Sequence, residues 1–385
     1  MQPLVWLDQL QGSGIRPGLG RMRALLRALG KPHLAYRSII VAGTNGKGST
    51  SATLASILQE TGQRVGFYTS PHLVELRERW RIGGALIEEA ELDACIDALR
   101  AAAERINITP TYFEALTLIA FVAFARAQCD IAVLEVGMGG RLDATNVVKP
   151  IAALITPVGF DHTEYLGRTL RKIAAEKAGV IHRGTLVLTS NDDPAVLAVI
   201  HGRAAQFGNR VIHVTDEHDT PLPGDFQRRN AGLAVRAARE LGIDEEAIQR
   251  GVAKTIWRGR LEHLHVAGKE IWIDGGHNRH AIDRTAPYFD ANVPRPRLLV
   301  FGMMSDKDVR DVVARLFPLF DRIIATEPYP PRSVPASHFH GATPIADPNE
   351  AFAAALRGDE RAIVITGSLY LAGAAIAFFD KIARP

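Results

Sequence analysis

The sequence predicts an α/β fold in which a first domain with a mostly parallel sheet is followed by a second, smaller, Rossmann-like α/β domain. Short runs rich in Val, Ile and Leu alternate with longer helical patterns, which is typical of repeated βαβ units. This alternation is interrupted near position 258 and then starts again. With 385 residues, of which 47% are hydrophobic, the chain is long enough to build two cores.

The first domain is expected to alternate strands and helices from about position 38. Strands are expected at 38–42, 64–68, 130–136, 151–156 and 185–189. Helices are expected at 48–61, 89–105, 113–127, 169–180 and 228–241. Ligands of such sheets gather at the carboxyl ends of the strands. Because the segments that start at Gly43, Glu135 and Asp161 all follow a strand, we expect them to line one crevice.

The second domain is expected to begin where the pattern restarts, around residues 257–260. Its strands are expected at 271–274, 297–302, 321–326 and 361–366, separated by helical stretches. We therefore divide the chain into residues 1–258 and 259–385. A second domain of this length lies within the usual size range of independent domains.

The most informative segment is 41–50, Val-Ala-Gly-Thr-Asn-Gly-Lys-Gly-Ser-Thr, which stands between a predicted strand and a predicted helix. Gly43, Gly46 and Gly48 allow backbone N–H groups to close around phosphate oxygens, the helix N-terminus adds a positive dipole, and Lys47 supplies a point charge. The segment is thus predicted to be a phosphate loop. The alternative is a glycine-rich turn with an incidental lysine.

The loop departs from the generic phosphate-loop pattern at two positions. Val41 stands where a glycine is expected, and Gly48 stands where a hydroxyl residue normally follows the lysine. The hydroxyl that holds Mg²⁺ is then expected to come from Ser49 or Thr50. The sequence therefore predicts a nucleotide-binding domain with a variant loop.

Composition narrows the class of protein and its location. The net charge of +3 results from 45 basic and 42 acidic residues without a charged block, so nucleic acid is not an expected partner. Cys95 and Cys129 have no metal-type spacing, which fits a reducing compartment, and a cytoplasmic location is expected. No apolar run approaches the length of a membrane span, and the start of the chain lacks a basic leader, so neither membrane insertion nor secretion is expected.

Four further segments, together with the loop, resemble one family. They are Ser-Pro-His-Leu at 70–73, the run from Glu-Val-Gly-Met-Gly-Gly to Ala-Thr-Asn at 135–146, Asp-His-Thr-Glu-Tyr-Leu-Gly at 161–167, and Glu-Lys-Ala-Gly at 176–179. The chain resembles the folylpolyglutamate synthase and dihydrofolate synthase family of the Mur ligase superfamily, in its bacterial bifunctional type. The likeness extends from about position 18 to the C-terminus and is weak only between 190 and 226, a stretch that is shorter than its family counterpart.

The resemblance implies an ATP-dependent ligase that adds L-glutamate to dihydropteroate and to reduced folates through an acyl phosphate. It implies a monomer that uses ATP and two Mg²⁺ ions. It assigns ATP binding to the loop and to groups of both domains: Gly43, Thr44, Asn45, Gly46, Lys47, Gly48, Ser49, Thr50, Asn230, Arg260, Asp274 and His277.

The resemblance assigns Mg²⁺ to Ser49, Glu135 and His162. Glu135 ends an apolar strand, where an ionised carboxylate requires a cation or hydrogen-bond donors. Hydroxyl and carboxylate oxygens suit Mg²⁺, whereas an imidazole is an uncommon ligand for it. His162 alternatively caps a turn.

Three residues, Lys47, His162 and Lys177, form the catalytic set that the resemblance implies. The family lysine that matches Lys177 is carbamylated by CO₂, which converts a cation into a carboxylate that serves a second metal ion or the substrate phosphate. The alternative is a surface lysine paired with its neighbours on a predicted helix.

In the second domain, residues 274–278, Asp-Gly-Gly-His-Asn, resemble an Asp-x-Ala-His-Asn-Pro motif of the family. Gly276 replaces the alanine and Arg279 replaces the proline, which puts the local turn in doubt. A cation at a helix start is unfavourable against the helix dipole. Arg279 therefore indicates either a nearby anion or an exposed side chain.

The substrate side is expected from the resemblance to include Ser70, Pro71, His72, Phe113 and Asp143. Two other segments leave alternatives open. The residues Arg77, Arg79 and Arg81 either meet an acidic substrate or belong to a solvated edge strand. The segment 301–308 resembles a glutamate-handling element of the family, or it is a turn with a helix cap.

Two other functions compete with the folate ligase. One is a Mur-type amide ligase that acts on a different carboxylate and shares the ATP site. The other is a non-catalytic, nucleotide-dependent binding protein. The joint presence of candidate groups in both halves of the chain favours an enzyme over a binding protein: Lys47, Glu135, His162, Lys177, Asp274 and His277.

Overall fold

The computed structural model describes residues 2–14 and 16–383, and these residues form two sheets flanked by helices. The first sheet comprises β1 Arg37–Ala42, β2 Val65–Tyr68, β3 Trp80–Ile82, β4 Ala85–Leu86, β5 Ile131–Glu135, β6 Ala152–Ile155, β7 Leu186–Thr189 and β8 Val211–His213. The second comprises β9 Glu262–Val266, β10 Lys269–Ile273, β11 Arg297–Phe301, β12 Arg322–Ala325, β13 Thr343–Pro344 and β14 Ala362–Thr366. The predicted α/β fold with mostly parallel sheets is confirmed.

The helices alternate with the strands as the sequence pattern predicts. Those around the first sheet are α1 Pro3–Gln9, α2 Gly20–Ala28, α3 Lys47–Gln59, α4 Glu89–Ile106, α5 Tyr112–Arg126, α6 Thr163–Leu166, α7 Leu170–Ala178, α8 Pro194–Ala205, α9 Asp225–Glu240 and α10 Glu245–Ala253. Those around the second are α11 Arg279–Asn292, α12 Val309–Leu316, α13 Pro348–Arg357 and α14 Leu369–Ala383. Over the described part of the chain, no helix combines the length and apolar composition needed to cross a membrane.

The first sheet has the strand order β4-β3-β2-β5-β1-β6-β7-β8. The strands from β2 to β8 in this order are parallel, whereas β3 and β4 are antiparallel additions at one edge. The strand β1 lies between β5 and β6, and its last five residues are buried. Burial on both faces explains why the central strands are continuous apolar runs rather than alternating ones.

Helix α3 packs against the first sheet, and ten of its 13 residues are buried. It packs between the sheet and helices α9 and α10, and its apolar residues share one core with those of β1 and β5. Helix α10 approaches α3 closely at Gly251, where an added Cβ would lie 2.3 Å from the Cα of Ile57. Because α3 begins within the phosphate loop, its packing on both sides holds the loop in place.

The second sheet has the strand order β13-β12-β11-β14-β10-β9. It is parallel except for β9, which forms an antiparallel hairpin with β10. The hairpin turns at Ala267 and Gly268, both at positive φ (51° and 75°), as a two-residue type I′ turn requires. The division into residues 1–258 and 259–385 that we propose falls between α10 and this hairpin.

One of the two alternatives for Arg77, Arg79 and Arg81 is wrong. Residues Leu76–Arg79 form a 3₁₀ helix, and β3, which follows, is covered by β4, so no solvated edge strand exists here. Arg79 is only 7% exposed. Arg77 and Arg79 lie on the 3₁₀ helix and Arg81 lies on β3, so the three arginines do not share one face of a strand.

Candidate active site

The predicted crevice forms at the carboxyl ends of β1, β5 and β6. The register places Val41 beside Glu135 and Ala42 beside Ile155, so the segments that follow these strands emerge together. Loops of the second sheet close the other side and enclose a cavity of about 230 Å³. Of the ATP, metal and catalytic residues predicted from sequence, this cavity is lined by Gly43, Thr44, Asn45, Gly46, Lys47, Gly48, Ser49, Glu135, His162, Lys177, Asn230, Arg260, Asp274 and His277.

Glycine is required at two positions of the loop by its surroundings. Gly43 and Gly46 have φ of 149° and 84°. A Cβ at Gly43 would lie 1.8 Å from the Thr156 hydroxyl oxygen, and one at Gly46 would lie 2.3 Å from Asn230 Oδ1. The loop is therefore pressed against β6 and α9, which fixes its path.

The loop directs unpaired backbone donors into the cavity. Lys47 is the first residue of α3, and the first-turn N–H groups of a helix have no intrahelical acceptor. Thr44 is anchored from the opposite side, because its N–H donates to Pro157 O over 3.0 Å and its hydroxyl donates to Gly159 O over 3.0 Å. An anion at this helix start is favoured by both the free donors and the dipole. Thr50 does not reach the cavity, because it is fully buried and its hydroxyl donates to Asn230 O over 3.3 Å.

Lys47 and Glu135 form the charged floor of the cavity. Lys47 Nζ donates to Thr44 O over 3.0 Å, so the side chain is folded over its own loop. Burial lowers the pKa of Lys47, and the charge of Glu135 opposes this. Burial also raises the pKa of Glu135, while the charge of Lys47 and a hydrogen bond from the Thr69 hydroxyl oppose it.

The donor set here fits a divalent hard cation. Glu135 is 5% exposed and Ser49 is 3% exposed, and both line the cavity next to the loop. A buried carboxylate whose pKa is raised by burial gains its charged form when a cation is present. His162 also lines the cavity, but its surroundings are different: Nε2 lies 3.4 Å from Lys307 Nζ, and burial, with the charge of Lys307, lowers its pKa to about 4.

Lys177 is a buried group of the site. It is 3% exposed, and its Nζ donates to Gly43 O over 2.6 Å. The neighbouring Glu176 is paired with Arg141 instead. The alternative of a surface lysine is therefore wrong. Burial and the charge of Lys47 lower the pKa of Lys177 to about 7, so a neutral amine is populated near neutral pH.

Asp274 organises the segment that links the two sheets. Its carboxylate accepts the N–H of Leu261 over 3.0 Å and that of Gly276 over 2.7 Å. A Cβ at Gly276 would lie 2.7 Å from Asp274 Oδ1, so glycine suits this turn. Burial lowers the pKa of Arg260, and the charges of Asp274 and Glu135 oppose this.

Arg279 does not mark an anion of the site. Its side chain is exposed and lies 3.2 Å from Asp311 and 3.6 Å from Asp283, carboxylates of its own domain. The sequence-based hint of a phosphate near this residue is not supported, because carboxylates account for the position of the guanidinium.

Contacts across the crevice join the two halves of the chain, and sequence reasoning assigned them no role. Asn45 and Asn278 exchange two amide hydrogen bonds of 3.1 and 3.2 Å. Asp161 accepts Lys307 Nζ over 2.7 Å and Asn278 Nδ2 over 3.1 Å. Burial alone would raise the pKa of Asp161, but the hydrogen bond and charge of His277 and the charge of Lys307 lower it well below its usual range. The sequence did offer a signal for the pair of Asp161 and Lys307, because both residues lie in segments that resemble the family, 161–167 and 301–308.

A second, larger cavity of about 420 Å³ adjoins the first. Ser70, Pro71, Phe113 and Asp143 line it, together with the cations Arg16, Arg79, Lys307 and Arg332 and the ring of Tyr370. Seven residues line both cavities: Ser70, Pro71, Gly137, Met138, His162, His277 and Leu369. The two cavities are therefore parts of one crevice.

Two of the predicted substrate residues have other roles in the structure. The Asp143 carboxylate accepts the N–H of Met138 over 3.0 Å and both the N–H and the hydroxyl of Thr145 over 3.0 and 2.6 Å, so it shapes its own loop. His72 does not line either cavity and accepts Arg79 Nε over 2.9 Å. Burial and the charge of Arg79 lower its pKa to about 4.

Comparisons with known proteins agree with this geometry. Residues 41–220 match the model of the Mur ligase middle domain, and residues 259–369 match that of the Mur ligase, glutamate ligase domain. The dihydrofolate synthase/folylpolyglutamate synthase of Bacillus subtilis is 34% identical over 411 residues, which cover 95% of each chain. The chain belongs to the folylpolyglutamate synthase and dihydrofolate synthase family of Mur ligases. The family predicted from sequence is thus confirmed.

Solved structures of this family have the same architecture. The Escherichia coli FolC structure in complex with DHPP and ADP has a TM-score of 0.90 at 30% identity, covering 99% of this chain and 98% of that one. The Mycobacterium tuberculosis folylpolyglutamate synthase, complexed with ADP and AMPPCP, has a TM-score of 0.88 at 31% identity, covering 98% of both chains. The family fold, including the smaller second α/β unit, is therefore present here.

Proposed function

We propose that this chain is an ATP-dependent ligase that adds L-glutamate to dihydropteroate and to reduced folates. The observation that carries the proposal is the continuous crevice: a phosphate loop at one end, a larger cavity lined by cations and aromatic rings at the other, and shared walls between them. A ligase must hold a nucleoside triphosphate and a carboxylate side by side. The relatives that are dihydrofolate and folylpolyglutamate synthases supply the substrate class.

The reaction joins a poor acyl donor to an amine, and the site offers what the first step needs. The substrate carboxylate attacks the γ-phosphorus of ATP, and the bond from that phosphorus to the β,γ-bridging oxygen breaks. The products of this step are ADP and an acyl phosphate. Negative charge grows on the transferring group, where Lys47 and the first-turn N–H groups of α3 stabilise it. The uncharged amine of glutamate then attacks the acyl carbon, and inorganic phosphate leaves as the amide forms.

Ser49 and Glu135 are the residues that would hold Mg²⁺, with His162, which lines the same cavity, as a third candidate. When bound, the ion neutralises phosphate charge. Around it the chain supplies a dry setting, because Glu135, Ser49, Lys177 and Asp274 are each at most 5% exposed. Exclusion of water protects an acyl phosphate from hydrolysis.

The carbamate expected at Lys177 remains a proposal that its environment supports. Carbamylation needs the neutral amine, and the lowered pKa of about 7 provides it. The product carbamate would place a negative charge beside Lys47 and the carbonyl of Gly43. A second Mg²⁺ ion is the natural counter-charge for that carboxylate in a buried site.

The larger cavity offers cationic side chains to an acidic substrate. Arg16, Arg79 and Arg332 line it, and guanidinium groups match carboxylates bidentately. Tyr370 lines it as well and stacks on Tyr329 with ring centroids 4.8 Å apart, and such rings offer a flat apolar surface. We assign this cavity to the folate substrate and L-glutamate, and we expect a monomer that works in the cytoplasm.

The proposal is tested by product analysis. Purified protein is incubated with ATP, Mg²⁺, L-glutamate and either dihydropteroate or tetrahydrofolate, and products are identified by mass spectrometry while phosphate release is followed. A glutamylated product from both substrates is expected. ATP binding without glutamylated product from either would move the assignment to a Mur-type ligase of another carboxylate or to a non-catalytic binding protein.

A further inference from the structure

Two imidazoles and a carboxylate meet on the outer hairpin of the second sheet. His263 and His265 stand two residues apart on β9 and thus share one face. Glu270 on β10 is the cross-strand partner of His265, and Trp272 is the partner of His263. None of the four lines either cavity of the crevice, so the catalytic assignment does not use them.

The donor atoms are close enough to share one ion. His263 Nε2 lies against Glu270 Oε2, and His265 Nδ1 lies 3.2 Å from Glu270 Oε1. One ligand atom from each of the three residues lies within 4.8 Å of the others. Tetrahedral Zn²⁺ with bonds of about 2.0–2.1 Å sets its donors roughly 3.3 Å apart. Small side-chain rotations therefore suffice to close the site.

The hairpin holds these groups in position before an ion binds. The tight turn at Ala267 and Gly268 fixes the register of the two strands, and β10 is itself paired to β14 on its other side. The ring of His263 stacks on Trp272 with centroids 4.4 Å apart and planes inclined by 14°. A ligand set on rigid strands loses less conformational freedom on binding than one on a loop.

The chemistry of the set selects the class of cation. Two imidazole nitrogens and one carboxylate are the protein ligands of open zinc sites, whereas Mg²⁺ and Ca²⁺ take oxygen ligands. The side chains of His263 and His265 are 46% and 66% exposed, so an ion can enter from solvent and keep a water ligand. We propose that the β9–β10 hairpin carries a binding site for a divalent transition metal ion, Zn²⁺ foremost.

The position of the site gives the ion a structural consequence. The strand β9 lies at the edge of the second sheet and begins directly after the segment that links the two sheets. Glu262, its first residue, accepts Arg258 of that segment over 2.8 Å, and β10 leads into Asp274. An ion across the hairpin would tie an edge strand to its neighbour, and it would raise the melting temperature because it binds only the folded state.

The test compares the full chain with a variant that lacks two ligands and keeps the His263–Trp272 stack. The protein and its His265→Ala/Glu270→Gln variant are stripped with chelator and titrated with Zn²⁺ by calorimetry. His201→Ala is the matched control, since it removes another exposed histidine, on α8. Wild type and control are expected to bind one equivalent more than the double variant, which separates this site from any metal held in the crevice.

Two further readouts complete the test. Trp272 is one of four tryptophans, and Cu²⁺ is expected to quench its share of the fluorescence in the wild type and the control at about one equivalent. His265→Ala alone is expected to weaken the Cu²⁺ affinity measured by this quenching about 10-fold or more. Zn²⁺ is expected to raise the melting temperature of the wild type more than that of the double variant. Equal Zn²⁺ stoichiometry and equal thermal shifts in all proteins would overturn the proposal and leave a hydrogen-bonded surface cluster.

Discussion

Asp161→Asn tests how the two halves of the chain are held together, because it removes a charge without changing side-chain size. The carboxylate accepts Lys307 Nζ over 2.7 Å across the crevice, and the side chains of the two partners are 10% and 9% exposed. Asn278 and His277 approach the same carboxylate from the second half. The variant therefore leaves the buried Lys307 ammonium with only the more distant, half-exposed carboxylate of Asp306, 3.8 Å away.

The magnitude follows from burial. Removing one partner of a buried ion pair costs about 3–5 kcal/mol, whereas an exposed pair contributes about 0–1 kcal/mol. The amide introduced by Asp161→Asn keeps an oxygen that can accept from Asn278. We therefore expect a loss of about 3 kcal/mol in the free energy of unfolding, the lower end of the buried range. The matched control is Arg315→Ala, which breaks a surface pair with Asp283 whose side chains are 30% and 44% exposed.

The assay is urea unfolding followed by circular dichroism, with melting curves alongside. Asp161→Asn is expected to lower the free energy of unfolding by about 3 kcal/mol and the control by less than about 1 kcal/mol. Lys307→Met in the Asp161→Asn background is expected to restore part of the loss, since the buried ammonium that lost its closest counter-charge is then gone. A loss for Asp161→Asn no greater than that of the control would refute the reasoning.

The stability difference between the wild type and Asp161→Asn is expected to depend on pH with a defined sign. The folded pKa of Asp161 lies below its ordinary value, so its stabilising effect is complete above the ordinary aspartate pKa of about 3.9 and is lost as pH falls toward the folded pKa. The stability difference between wild type and Asp161→Asn is therefore expected to be constant from neutral pH to about pH 5 and to shrink in stronger acid. A difference that grows in acid would contradict this assignment.

Three further predictions concern the phosphate loop and its buried lysines. Lys47→Ala is expected to lower turnover about 100-fold or more with the fold intact, and near-wild-type ligation would contradict its role. At fixed dissolved ¹³CO₂, a carbamate carbon signal is expected to grow as pH rises through about 7, the lowered pKa of Lys177, and to be missing in Lys177→Arg; equal signals in both would assign the carbamate elsewhere. Gly46→Ala, whose Cβ would lie 2.3 Å from Asn230 Oδ1, is expected to weaken ATP binding measured by calorimetry, while Gly62→Ala, which meets no heavy atom within 4 Å but shares a positive φ, serves as the control; equal affinities would show that the loop is not constrained there.

Much of the fold follows from the sequence because the central strands are buried on both faces. The largely apolar runs at residues 38–42 and 130–136 predict buried strands, and the structure has β1 at Arg37–Ala42 and β5 at Ile131–Glu135. Two of the edge strands, β4 and β13, were not predicted, because they are two residues each and depend on their neighbours. The strand β9 did carry a signal, the alternation Glu-His-Leu-His-Val before a turn.

The site was predictable in its parts and not in its connections. The loop, Glu135 and Asp161 follow strand ends, and the rules of parallel sheets bring such positions together. The pairing of Asp161 with Lys307 spans 146 positions and depends on how the two sheets pack against each other, for which the sequence has no local pattern. Likewise, no sequence rule shows that the Lys177 ammonium meets the carbonyl of Gly43 inside the protein rather than solvent.

The central claim is that the carboxylate of the substrate is activated as an acyl phosphate in the crevice between the two sheets. The most direct measurement uses dihydropteroate labelled with ¹⁸O in its carboxylate, with ATP, Mg²⁺ and L-glutamate, and mass analysis of the phosphate released. One ¹⁸O is expected in each phosphate, since the carboxylate oxygen that attacks the γ-phosphorus leaves with it. Glutamylated product accompanied by unlabelled phosphate would contradict the account.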